Sequence, residues 1–162
     1  MKTIASAITF AAILSGGAYA VNAQTTAHVI QTPQEAQWGP APPMLPAGAQ
    51  IAVLSGNPTQ AVPYAVRLKF PANFAIPAHS HPTNENVVVT SGALTLGMGD
   101  TLMKGAAANK TLQVGGYALM PANMNHFAYT TQETTIVLYG QGPVEFKYVN
   151  PSDDPRNGKK TE

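Results

Sequence analysis

The chain has 162 residues, only 10% of them charged, and a formal net charge of +1, so it lacks the basic footprint that nucleic acid or an anionic membrane surface would require. It contains no cysteine, which rules out disulfides and thiolate metal ligands and leaves nitrogen and oxygen to hold any transition metal. A length of this order fits one domain with a real core.

Residues 1–23 are expected to be a secretory signal peptide. Met1-Lys2 gives a positive start, Ile4 to Leu14 is mostly apolar, and Ala18-Tyr19-Ala20 and Val21-Asn22-Ala23 both satisfy the small-x-small cleavage rule. Gly16-Gly17 and Asn22 interrupt the run before it reaches the ~20 apolar residues of a spanning helix. The mature protein is therefore expected in the periplasm or outside the cell, with no membrane insertion after cleavage. Loss of Lys2 with the leader leaves eight cations against eight acids.

Residues 24–50 form a proline-rich arm with Pro33, Pro40, Pro42, Pro43 and Pro46, a composition that favours extended conformations and excludes helix. Trp38 could anchor this arm across the domain or a neighbouring subunit; a loose leader is the alternative. From Ile51 the texture becomes short β-like runs. Tyr64, Val66, Leu68 and Phe70 alternate with Ala65, Arg67 and Lys69, the period of a strand with one buried face. Further runs are 86–90, 93–98, 111–114, 117–120, 126–131, 134–139 and 144–149, almost all punctuated by Gly, Pro or Asn. Asp100 to Lys110 is expected to be a loop, since Gly105 and Asn109 weaken its helical pattern. The pattern predicts an all-β domain over residues 51–150, a small antiparallel barrel or sandwich. Residues 151–162 form a polar tail expected to fray.

His79 and His81 are two apart, a spacing that on a strand turns both rings to one face. Glu85 follows the bend Pro82-Thr83-Asn84, and His126 arrives later, after Pro121 and the turn at Asn123. Three neutral imidazoles and one carboxylate suit a single divalent Fe, Mn, Ni, Cu or Zn ion, with positions left open for water or substrate. Two His near a Pro-rich turn could instead be solvated loop residues. Of the four His, however, three fall into this pattern, and only His28 lies in the arm, where exposure is expected.

His79-x-His81-x(3)-Glu85-x(6)-Gly92 resembles the first motif of the cupin superfamily, and Gly115-x(5)-Pro121-x-Asn123-x(2)-His126 resembles the second. The resemblance implies a small β-barrel of the cupin jelly-roll type, with His79, His81, Glu85 and His126 as ligands of one metal near its mouth. Two positions depart from the pattern, Asn73 and Asn123, where the family usually has Gly. Asn tolerates positive φ better than most residues, so both turns should survive. Thr130 stands where the second motif often has Asn, at a position that is not a ligand. Parity from Glu85 turns Val87 and Val89 inward, and parity from His126 turns Ala128 and Thr130 inward.

Met98, Met120 and Met124 are read as gap-filling core residues rather than cavity or Cu(I) groups. Tyr64, Tyr117, Tyr129 and Tyr139 remain undistinguished as proton donors or acceptors. Gly97-Met98-Gly99-Asp100 has no following helix or Lys-Ser/Thr to make a phosphate loop. Ser80 lacks the nucleophile elbow of a hydrolase and should point away from the His face. The cupin resemblance spans many reactions. With the leader at residues 1–23, the intact ligand set leads to the expectation of an exported metalloenzyme acting on a small molecule, with dioxygenase-like oxidoreductase chemistry ahead of isomerase or lyase chemistry. A non-catalytic sensor or ligand-binding protein, or a metal that only staples the barrel, is the alternative, and a homodimer paired through the sheets is compatible with either. N-terminal sequencing of exported protein should read Val21 or Gln24 as the first residue; an intact Met1 on protein outside the cytoplasm would contradict the leader.

Overall fold

The computed structural model describes residues 28–157, so the leader assigned to residues 1–23 and the end of the C-terminal tail lie outside the described residues. Among the described residues, helix is confined to short 3-10 turns. The strands are β1 (Gly39–Pro40), β2 (Gln50–Ser55), β3 (Pro63–Phe70), β4 (Ala75–Ser80), β5 (Glu85–Ser91) and β6 (Leu94–Met98). They continue as β7 (Lys110–Leu112), β8 (Tyr117–Met120), β9 (His126–Tyr129), β10 (Thr134–Gln141) and β11 (Lys147–Tyr148). Two antiparallel sheets result, ordered β1-β2-β3-β10-β5-β8 and β11-β4-β9-β6-β7. This is the jelly-roll expected from the sequence, built as two facing sheets.

The core lies between the sheets, and the period-2 pattern explains which residues enter it. Tyr64, Val66, Leu68 and Phe70 of β3 are all buried, as are Val87 and Val89 of β5, Ala128 of β9 and the adjoining Thr130. The six-stranded sheet adds Ile136 and Leu138, and the facing sheet adds Ile76, Leu94 and Leu96. Each fully buried aliphatic side chain contributes roughly 1.5–3 kcal/mol of transfer free energy. Asp100 to Asn109 is a loop and Lys110 already opens β7; the loop is tied down by Asn109, whose Nδ2 donates to the Met103 carbonyl at 2.8 Å.

The arm lies across the domain. Gly39 and Pro40 pair with Ile51 and Gln50, Leu45 and Ala49 are buried in the core, and Lys69 Nζ sits 4.5 Å from the centre of the Trp38 ring. Asn73 and Asn123 adopt φ of 60° and 61°, so both replacements of Gly keep their turns. Thr130 has more to do than its position in the motif implies. Its hydroxyl donates to the Pro71 carbonyl at 2.8 Å and accepts from the Phe74 N–H at 3.2 Å, closing the Asn73 turn against the end of β9.

Four expectations need correction. Residues 75–80 form a strand that the sequence pattern hid, because Pro77 interrupts the run and demotes it; the register with β9 is irregular between Ile76 and His79. Only Lys147–Tyr148 of the run 144–149 joins a ladder, because the carbonyls of Glu145 and Phe146 accept from side chains instead. Residues 151–157 do not fray but make two 3-10 turns. Of the three methionines read as core, only Met120 is buried; Met98 is 52% and Met124 46% exposed, on the rim of an open surface depression with Asp100 and Asn125.

The Asn123 turn offers a direct check. Asn123→Val places a β-branched residue at φ 61° and should cost about 1–3 kcal/mol in urea unfolding, whereas Asn123→Gly should change stability by less than about 0.5 kcal/mol. Equal stability of the two variants would show that the turn adopts another conformation in solution.

Candidate metal centre

Each imidazole is delivered by a different local device. His79 ends the irregular half of β4, and Pro77, which has no N–H, leaves its carbonyl 2.7 Å from His79 Nδ1. His81 lies just past the end of β4, with Nδ1 2.8 Å from the Glu145 carbonyl. His126 opens β9, with Nδ1 3.0 Å from the Met124 carbonyl. A carbonyl only accepts, so each Nδ1 must carry the proton, and the Nε2 of each neutral ring is left as a lone pair.

Those lone pairs meet. His79, His81 and His126 are buried and offer ligand atoms that all lie within 4.8 Å of one another. Their ring centroids are 4.4–5.1 Å apart. Glu85, the first residue of β5, sets its carboxylate against two of the three: Oε1 is 3.4 Å from His81 Nε2, and Oε2 is 3.9 Å from His126 Nε2. The shorter approach is not a hydrogen bond, since His81 Nε2 is buried without a partner. The sequence therefore brings all four candidates to one place, the three rings as a mutual group and Glu85 beside it.

Burial disfavours charge of either sign on these four groups, keeping the imidazoles neutral and the carboxyl protonated. Burial pushes His79 well below the usual imidazole range, helped by His126 and His81 and opposed by the Pro77 carbonyl. Burial likewise lowers His81 and His126, against the pull of the Glu145 carbonyl and of the Met124 carbonyl and Glu85, respectively. The Glu85 carboxyl is pushed up to about 7 by burial, with His126 pulling it back. Three acceptors and a carboxylate thus converge without a hydrogen-bond donor other than a proton on Glu85. A buried, donor-free set of nitrogens and oxygens, each ring oriented through its other nitrogen by a carbonyl, fits a divalent transition metal.

Phe146 closes the cluster from the strap between β10 and β11. Its ring stacks on His79 at 4.6 Å and meets His81 edge-on at 4.5 Å. The Phe146 carbonyl accepts from Arg156 Nη2 at 2.8 Å, and Asp154 holds that guanidinium at 2.7 Å. The roles of Phe146 and Glu145 were missed from sequence; the alternation of Val144, Phe146 and Tyr148 was the available signal. An apolar cavity of about 70 Å³ adjoins the cluster, with Glu85, Phe146 and Tyr64 in its lining. Burial raises the Tyr64 phenol, with the Glu85 charge adding to the effect. Tyr117 and Tyr139 are exposed and far less suited to such a place. Ser80 is nearly buried, and His28 is exposed.

Comparison with known proteins agrees with this architecture. The sequence profile of a domain of unknown function, DUF4437, matches residues 11–147. No curated protein matches the chain. Among solved structures, a candidate acetylacetone dioxygenase from Methylibium petroleiphilum PM1 is 17% identical, with a TM-score of 0.56 over 94% of this chain and 90% of its own. An RmlC-like cupin from Shewanella frigidimarina NCIMB 400 is 15% identical, with a TM-score of 0.54 over 68% of this chain and 87% of its own. The polyketide cyclase RemF from Streptomyces resistomycificus is 19% identical, with a TM-score of 0.54 over 66% of this chain and 75% of its own. Identities this low establish the cupin fold and nothing of the reaction.

The raised Glu85 carboxyl makes a testable difference in the metal-free protein. A folded-state value of about 7 against 4.5 for the free group means that folding is favoured below pH 4.5 and penalised as pH rises through 7. Glu85→Gln should therefore stabilise the metal-free protein at pH 8 by on the order of 2–3 kcal/mol, and the gain should vanish below pH 4.5. The lowered histidines act oppositely, losing stability as pH falls below 6.5, and they do so in both proteins. A gain in denaturant unfolding that does not depend on pH would refute the assignment of the shift to Glu85.

Proposed function

Because the chain belongs to the DUF4437 family and has the cupin fold, we propose that it is an exported mononuclear metalloenzyme for a small oxygen-bearing substrate. His79, His81, Glu85 and His126 hold one divalent ion among Fe, Mn, Ni, Cu and Zn. The observation that carries this reading is the fixing of all three Nδ1 atoms by carbonyls, which commits three Nε2 lone pairs to one buried point. When bound, the ion supplies a Lewis acid or a redox centre.

The chain's own residues divide the remaining tasks. Glu85 gives up its proton as the ion enters, so uptake below pH 7 releases about one proton per site. Phe146 and the hydrocarbon walls of the cavity keep water from the rings. Oxidoreductase chemistry is preferred to isomerase or lyase chemistry on the likeness to the candidate acetylacetone dioxygenase, which has the same architecture. Export rests on the leader at residues 1–23.

Protein purified without added metal should carry about one transition-metal ion per chain by elemental analysis, and His81→Ala should carry almost none. Oxygen uptake with small diketones, diols or phenols would establish the dioxygenase chemistry. Tight Zn without turnover, together with stability that collapses on chelation, would instead assign the centre to ligand binding or structure. Full occupancy in His81→Ala would remove the ligand assignment altogether.

A further inference from the structure

A cavity of about 70 Å³ borders Glu85 and Phe146 on the side away from the three histidines, none of which lines it, and is walled mainly by hydrocarbon. Met44 and Leu45 of the arm, Val66 and Leu68 of β3, and Val144 and Phe146 of the strap form much of its lining. Three lining residues carry polar side chains: Thr59, Glu85 and Tyr64. The Thr59 hydroxyl already donates to Asn57 Oδ1 at 2.8 Å. Glu85 belongs to the metal cluster. Tyr64 is left.

Backbone register explains why Tyr64 faces Glu85. Gly140 of β10 pairs with Tyr64 on one side and with Glu85 on the other. Opposed residues in antiparallel strands project to the same face, so the phenol and the carboxylate flank a position that has no side chain. A Cβ at residue 140 would lie 3.6 Å from the Tyr64 hydroxyl and only 2.7 Å from the Asn84 carbonyl. Glycine keeps the space between the two groups clear.

Three other tyrosine hydroxyls have protein partners. Tyr117 donates to Asn86 Oδ1 at 2.8 Å, Tyr129 accepts from the Gly105 N–H at 3.2 Å, and Tyr148 donates to the Met44 carbonyl at 2.8 Å. Tyr64 is only 6% exposed, and its hydroxyl makes no hydrogen bond to another described residue, although the oxygen itself keeps contact with accessible space and is not one of the fully buried unpartnered atoms. A phenol that lines a mostly apolar cavity with its hydroxyl uncommitted to protein is a free donor for whatever enters there.

We propose that Tyr64 orients the substrate, donating a hydrogen bond to a carbonyl or hydroxyl oxygen of a short, uncharged molecule whose hydrocarbon end fills the cavity bordered by Glu85 and Phe146. This rests on the metal reading above and narrows its substrate class. The cavity is about half the ~150 Å³ of an engineered apolar cavity that admits benzene, so the ligand has an aliphatic body of only a few carbons. No Lys or Arg lines the cavity, and its mostly hydrocarbon wall favours an uncharged ligand body.

The test is calorimetric titration of the Zn(II)-loaded mature protein with acetohydroxamic acid, a small uncharged two-oxygen probe. Binding should be saturable, about tenfold weaker in Tyr64→Phe, the scale of one hydrogen bond, and lost in Val144→Phe, which fills the cavity from the strap. Zn(II) content should stay at one ion per chain in all three proteins. The unaltered protein should also prefer acetohydroxamic acid to the bulkier benzohydroxamic acid, a comparison that needs no variant to fold. Equal affinity of the Tyr64→Phe and unaltered proteins, undiminished binding by Val144→Phe, preference for the aromatic probe, or no binding by the loaded protein each overturns the proposal. Failure of the unaltered protein to take up Zn(II) overturns the metal reading instead, so the two outcomes are told apart by metal content.

Discussion

Three backbone carbonyls, those of Pro77, Glu145 and Met124, each take the Nδ1 proton of one histidine. Fixing the tautomer fixes where the other nitrogen's lone pair is and which way it points. Much of the local structure follows from keeping those carbonyls free for this use. Pro77 puts an irregularity into β4, and Glu145 lies in a strap that makes almost no ladder bonds. Met124 sits in the turn just before β9. Regular sheet at any of these positions would have consumed the carbonyl in strand pairing.

The second level of support joins the two metal motifs directly. The Asn123 N–H donates to the His81 carbonyl at 2.7 Å, and the Ala122 N–H donates to Asn84 Oδ1 at 2.9 Å. The turn that delivers His126 is therefore bonded to the bend that separates His81 from Glu85, which holds ligands from distant parts of the chain in one register. Arg156 extends the support outward by holding the Phe146 carbonyl, so a polar C-terminal segment stiffens an aromatic ring that rests on two histidines. Charge-assisted contacts of this kind on the surface contribute little stability individually; their effect here is positional.

Burial without a donor is the cost of the arrangement. Burial holds the imidazoles neutral and raises the Glu85 carboxyl to about 7, so the cluster presents lone pairs rather than charge. The adjoining apolar cavity has the same character. It offers hydrocarbon contact over most of its lining, with Thr59, Tyr64 and Glu85 as its polar side chains.

Several features were legible from the chain alone because they depend on local rules. Alternation in β3 and β5 gave the buried faces, since side-chain direction in a strand repeats every two residues. Asn73 and Asn123 gave the turns, since few other residues accept positive φ. The spacing of His79, His81, Glu85 and His126 gave the site. Other features depended on which group a backbone atom meets across the fold, and no local rule specifies that. The strand at 75–80 was hidden by Pro77, and the same proline turned out to free a carbonyl for His79. The strap at 144–149 alternates like a strand, yet its carbonyls go to His81 and Arg156. Met98 and Met124 look like core by composition, but they sit where the sheet's outer face and a turn leave them in solvent. Tyr64 was indistinguishable from the other tyrosines until register placed it across Gly140 from Glu85. The sequence by itself determined the candidate residues of the cluster and the β architecture, because spacing and periodicity are properties of neighbours along the chain. Only the tertiary structure decided the tautomers, the cavity and the role of the strap, because each arises from contacts between residues tens of positions apart.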